Sequence, residues 1–156
     1  MNSDGTKAIV GASGGNAAYI YTYNGSSWVE QILVASDGAA GDEFGYSVGM
    51  NSNGTKVIVG AYAEDPGGTS DAGAAYIYTY DGSNWDTGTK IVAPDKEAGA
   101  RFGISVSMNS DGTKVIVGAY LDHANDVDNA GAAYIFAYDG SNWDTGLKIS
   151  APDKAA

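Results

Sequence analysis

The chain has no cysteine among its 156 residues. Disulfides, thiolate nucleophiles and cysteine-ligated zinc are all excluded. Histidine occurs once, as His123, so a histidine triad or a His-based metal centre lacks partners. Basic residues are scarce: 8 Lys and Arg stand against 19 Asp and Glu, a net charge of −11. Such a surface repels phosphate backbones and anionic lipid, so nucleic acid is not an expected partner. No apolar run reaches the length of a membrane-crossing helix, so membrane insertion is not expected. Glycine, by contrast, is abundant at 23 residues, and it falls at turns and strand ends rather than in a low-complexity run.

What is present is a repeat. Phe44-Gly45-Tyr46-Ser47-Val48 returns as Phe102-Gly103-Ile104-Ser105-Val106, and Asn84-Trp85-Asp86-Thr87-Gly88 returns at the same offset as Asn142-Trp143-Asp144-Thr145-Gly146. A long repeat that reads as strands signals a blade-like or solenoid architecture. It also shifts the expected function from a single catalytic pocket towards a scaffold or recognition surface.

The middle copy predicts four strands: Phe44 to Met50, Lys56 to Ala61, Ala74 to Tyr80, and Trp85 to Val92 with a bulge near Thr87-Gly88. Asn53-Gly54 and Asp81-Gly82 supply tight turns. Strands two and three are apolar on both faces, with Val57 and Val59 against Ile58, and Tyr76 and Tyr78 against Ile77. A sheet with one wet face would alternate more cleanly, so each sheet is expected to lie between two others. Four-stranded antiparallel meanders stacked face to face are β-propeller blades.

The predicted fold is therefore all-β: about three blades, part of a larger or oligomeric propeller. The blades fall at residues 1–43, with the first strand missing, 44–101 and 102–156, giving eleven strands within one repeat domain. Met1 aligns with the internal Met50 and Met108, so the chain is expected to begin in mid-repeat, as a piece of a longer protein. Propellers close with about 4 to 8 blades, so the expected partners are further repeats of a longer chain or other copies of this one.

These residues resemble the FG-GAP repeat family, seen in the propellers of integrin α-subunits and in bacterial and algal surface proteins. Phe44-Gly45 and Phe102-Gly103 stand for "FG"; Val59-Gly60-Ala61-Tyr62 and Val117-Gly118-Ala119-Tyr120 stand for "GAP", with Tyr in place of Pro. Gly73 to Tyr78 and Gly131 to Phe136 look like the family's third strand. Trp28, Trp85 and Trp143 fit a Trp-containing subgroup. The resemblance implies an extracellular or cell-surface protein and an adhesion or protein-binding role. Many members bind calcium in the first hairpin. Here that hairpin reads Asn51-Ser52-Asn53-Gly54-Thr55-Lys56 and Asn109-Ser110-Asp111-Gly112-Thr113-Lys114, too poor in carboxylates for calcium, and is expected to be a plain turn.

The loops between strands two and three differ between copies while their frame does not. Binding residues concentrate on loops held by a rigid scaffold, so the candidate binding residues are Glu64, Asp65, Asp71, Asp122, Asp126 and Asp128. Asp122, Asp126 and Asp128 are also candidate calcium ligands, the one cofactor considered; the alternative is a solvated acidic loop. Trp28, Trp85 and Trp143 recur once per blade and form an alternative set of sugar-binding residues, against a role in blade packing. Asn24 and Asn53 head glycosylation sequons. The expectation is a non-enzymatic extracellular scaffold or adhesion module that binds protein through its rim loops. The alternatives are a carbohydrate-binding propeller lectin, or a structural repeat of a surface filament or sheath.

Overall fold

The computed structural model describes residues 1–123 and 127–151. Eleven strands run through these residues, in three antiparallel meanders. The first sheet holds β1 (Lys7–Ala12), β2 (Ala17–Tyr23) and β3 (Trp28–Leu33). The second holds β4 (Ser47–Met50), β5 (Lys56–Ala61), β6 (Ala74–Thr79) and β7 (Thr89–Ile91). The third holds β8 (Phe102–Met108), β9 (Lys114–Ala119), β10 (Ala132–Ala137) and β11 (Leu147–Ile149). The register repeats: Ile58 pairs with Ile77, and Ile116 with Ile135.

The turns form for local reasons. Asn51 Oδ1 accepts the backbone N–H groups of Thr55 and Lys56 at 3.0 and 2.9 Å, and Asn109 does the same for Thr113 and Lys114. These side-chain oxygens are committed to closing the hairpin.

Two strands are shorter than the sequence predicts. The middle copy's first strand begins at Ser47, because Gly45 takes φ 94° and drops Phe44 into the core. Its equivalent strand β8 keeps a register break between Phe102 and Ser105. The fourth strand is reduced to Thr89–Ile91, with Trp85 held to Tyr80 by an isolated bridge. The expected bulge separates them: Asp86 Oδ1 accepts from Gly88 N–H at 3.0 Å, and Gly88 has φ 81°. β3 runs unbroken from Trp28, since the first copy carries one residue fewer there.

The core lies between the sheets. Val57, Val59, Tyr76 and Tyr78 project towards the first sheet and meet Ala18, Ile20 and Leu33, with Phe44. Ile58, Ala75, Ile77 and Ile91 project the other way and meet Phe102, Val115, Val117, Tyr134 and Phe136. The middle sheet is thus apolar on both faces because both are covered. Burying such side chains contributes about 1.5–3 kcal/mol each. Small residues set the spacing: a Cβ on Gly60 would stand 2.0 Å from the Gly103 carbonyl oxygen.

Candidate functional site

Each long loop between the second and third strand of a blade is anchored by a buried ionic cluster. In the middle blade, Glu64 follows β5 and is only 7% exposed. Lys90 on β7 reaches it at 2.6 Å and reaches Asp37 at 2.7 Å. The Tyr76 hydroxyl donates to Asp37 Oδ1 at 2.8 Å. Asp37 lies in the connector that leaves the first blade. The third blade repeats this. Lys148 on β11 sits 2.7 Å from Asp122 and 2.6 Å from Asp95 in the preceding connector, and the Tyr134 hydroxyl lies between the same two carboxylates. Lys148 approaches Asp122 Oδ1 outside hydrogen-bond geometry, so that contact is an ion pair alone. Each cluster ties a connector to the loop of the blade that follows.

The electrostatics follow from burial. Burial raises the pKa of Glu64 above the usual carboxylate range, with Lys90 acting against it. The hydrogen bond from Lys90 holds Asp37 below that range. Burial opposes the charges of Lys90 and Lys148, but their two carboxylates each outweigh it and raise both. Tyr76 and Tyr134 are pushed far above the ordinary phenol range, first by burial and then by their aspartates.

The candidate binding residues therefore separate. Glu64 and Asp122 point inward, into these clusters. Asp65 and Asp128 are exposed and Asp71 is half-buried. Asp65 Oδ1 accepts the Asp71 N–H at 2.7 Å, closing the loop on itself. Asp71 sits at φ 49° and offers its carbonyl to Arg101 of the third blade. Asp126 lies outside the described residues. Of the candidate calcium ligands, Asp122 is already neutralised by Lys148, and Asp128 is 3.6 Å from His123 Nε2. A cation bound to Asp122 would have to displace an ammonium group. Among the described residues, no three His, Cys, Asp or Glu side chains are grouped to hold a metal.

The tryptophans occupy the other rim. Each stacks at a tilt on a tyrosine, Trp28 on Tyr23, Trp85 on Tyr80 and Trp143 on Tyr138, at 5.5, 5.3 and 5.3 Å. A groove of about 620 Å³ between the second and third blades is lined by Lys56, Tyr138, Asn142, Trp143 and Asp144. A smaller one of about 340 Å³ between the first two blades includes Trp85 and Asn84. Lysines bridge the blades here: Lys7 lies 4.3 Å over the Tyr80 ring and donates to Gly54 O, and Lys56 lies 4.2 Å over Tyr138 and donates to Gly112 O, both at 3.1 Å. Sequence reasoning missed Asp37, Lys90, Asp95 and Lys148. The available signal was a lysine recurring in the fourth strand of both later copies, matched by an acid directly after the second strand.

The solved structure of Kuenenia stuttgartiensis hydrazine synthase is similar in fold, with a TM-score of 0.62 at 10% identity over 99% of this chain. The chain spans 35% of that structure's length. No curated protein matches the chain. The model of the FG-GAP repeat matches residues 28–78 and 85–136, each match running from the tryptophan of one blade to the third strand of the next. With two such units in register across three stacked meanders, the chain belongs to the FG-GAP repeat family, in a β-propeller fold.

Proposed function

We propose that this chain is a non-enzymatic scaffold and adhesion module of the cell surface or extracellular space, binding protein partners through the loops between the second and third strands. The observation that carries this reading is the ionic cluster under each loop. It holds the loop base fixed in both later blades, while the loop sequences above it differ. A rigid frame with variable loops is how recognition surfaces are built. Asp65, Asp71 and Asp128 give those loops an acidic face suited to a basic protein patch. The test is solid-phase binding to a panel of extracellular-matrix proteins. The combined variant Asp65→Asn, Asp71→Asn, Asp128→Asn should lose binding, and Trp143→Ala should keep it. Undiminished binding by the combined variant refutes this reading.

A second reading, a carbohydrate-binding propeller, is favoured by one observation. The 620 Å³ groove sets Trp143 beside Asn142 and Asp144, an aromatic face flanked by polar groups. A glycan-array signal lost in Trp143→Ala, with the fold intact, would select it.

A further inference from the structure

The turn between the third and fourth strands follows one pattern in every blade. It reads Tyr80-Asp81-Gly82-Ser83-Asn84-Trp85 in the second and Tyr138-Asp139-Gly140-Ser141-Asn142-Trp143 in the third. The first blade has Tyr23-Asn24-Gly25-Ser26-Ser27-Trp28, with an amide where the others carry a carboxylate. Asp81 Oδ1 accepts the Ser83 and Asn84 N–H groups, both at 2.7 Å, and Asp139 Oδ1 accepts those of Ser141 and Asn142 at 2.7 and 2.8 Å. The N–H groups of Asn84 and Ser83 hold the Asp81 carboxyl below the usual range, and those of Asn142 and Ser141 do so for Asp139. Asn24 Oδ1 accepts the Ser26 and Ser27 N–H groups at a longer 3.0 Å, and the Ser26 hydroxyl at 2.9 Å. The turn is built to hold a carboxylate, whose charge strengthens such bonds.

The amide at Asn24 stands beside a backbone nitrogen that can reach it. A glycine after an asparagine leaves its nitrogen unhindered by a side chain, and the chain has two such pairs, Asn24-Gly25 and Asn53-Gly54. Both asparagines are exposed, but their glycines differ. Gly54 is buried, and its N–H donates to Asn51 O at 3.1 Å. A Cβ built on it would meet Lys7 Cδ at 2.8 Å and Asn2 Nδ2 at 3.2 Å. Gly25 is exposed, with nothing within 4 Å of a built Cβ. Its one hydrogen bond among the described residues is from the Tyr23 hydroxyl to its carbonyl oxygen, at 3.0 Å, so its nitrogen is uncommitted. The three donors on Asn24 Oδ1 also lie where negative charge develops when Cγ is attacked, and they strengthen as it does.

We propose that Asn24 is a self-modification site, at which the Gly25 nitrogen displaces the side-chain ammonia and water completes the conversion to aspartate. In the first step the bond from Gly25 N to Asn24 Cγ forms and the bond from Cγ to Nδ2 breaks. The proton of Gly25 N leaves with the ammonia. In the second, water adds to Cγ, the ring bond to nitrogen breaks, and Gly25 N regains a proton. Amide and water become carboxylate and ammonium, with no change of oxidation state. The product gives the first blade the acid that Asp81 and Asp139 supply to the other two, and adds a negative charge beside Trp28. The site is independent of the rim-loop reading above.

The test holds the 156-residue chain for weeks in neutral buffer, with and without urea, and reads conversion at each Asn-Gly pair by peptide mapping and mass spectrometry. Aspartate and its isomer, formed when the ring opens at the main-chain carbonyl, both count as conversion. In the folded chain Asn24 should convert at least about tenfold faster than Asn53, whose glycine must first give up a hydrogen bond and its packing. In urea the two rates should converge. The variant Asn24→Asp should unfold at a urea midpoint no lower than the parent's. Absence of conversion at Asn24, equal rates in the folded chain, faster conversion at Asn53, or a ratio unchanged by urea overturns the proposal. So does a lowered midpoint for Asn24→Asp.

Discussion

Replacing Lys90 with methionine would test whether the ionic clusters hold the loops. Lys90 is the only cation within reach of Glu64 among the described contacts, at 2.6 Å, and the Glu64 side chain is 9% exposed. Removing the cation strands a buried carboxylate, which costs about 3–5 kcal/mol for a fully buried pair. Lys90 itself is 27% exposed, so the expected loss is about 2–4 kcal/mol. The Asp37 arm adds little, because that carboxylate is half exposed. Against a typical stability of about 5–15 kcal/mol, the change is easily read by urea unfolding. The double variant Glu64→Leu, Lys90→Met should return to within about 1 kcal/mol of the parent, because it removes both charges together. The deficit of the single variant should also depend on pH. Burial already holds the folded pKa of Glu64 above its ordinary value of 4.5, so the carboxyl favours folding in its protonated form. That contribution is complete below 4.5 and is lost as pH rises through the folded value. The deficit should therefore be smaller at pH 4 than at pH 7. A loss under about 1 kcal/mol, or a double variant weaker than the single, refutes the reasoning.

Phe102→Ala should cost about 3–5 kcal/mol in urea unfolding, since the ring is fully buried on Tyr134 and Phe136, whereas Trp28→Ala, at 46% exposure, should cost about 1 kcal/mol or less. Gly60→Ala should cost at least about 3 kcal/mol, because the methyl meets the Gly103 backbone, while Gly14→Ala, with nothing within 4 Å, should change stability by less than about 0.5 kcal/mol. Alkali should destabilise the fold: Lys90, Lys148, Tyr76 and Tyr134 all hold their protons more tightly when folded. Their contribution is complete below about pH 10 and is lost above it, so the urea midpoint should fall progressively between pH 10 and 11.5. Calcium titration should leave the melting midpoint unchanged, because Asp122 is already paired with Lys148.

Much of the fold was legible because the repeat supplies three readings of one pattern. Val57-Ile58-Val59 and Tyr76-Ile77-Tyr78 declare a sheet covered on both faces, and Asn-Gly and Asp-Gly place the turns. Strand ends were less legible. At Gly45, the glycine's positive φ and the pull of Phe44 into the core decide where pairing begins, and neither appears as a break in alternation. The candidate loops were visible as the variable part of a constant frame. The inward turn of Glu64 and Asp122 was not. Their partners Lys90, Lys148, Asp37 and Asp95 lie far along the chain, and only the stacking of one blade's connector on the next brings them together. Asp65 and Asp71 look alike in sequence to Glu64, yet differ from it wholly in burial and partners.

Amide hydrogen exchange at Arg101 and Phe102 tests most directly the central claim that neighbouring blades form one rigid frame. These N–H groups belong to the third blade, but their acceptors are Asp71 O and Ala72 O at the base of the second blade's loop. The account predicts that they exchange as slowly as Ile77 in the middle of the core. Exchange as fast as at the exposed turn residue Gly82 would mean that the blades part readily, and would contradict it.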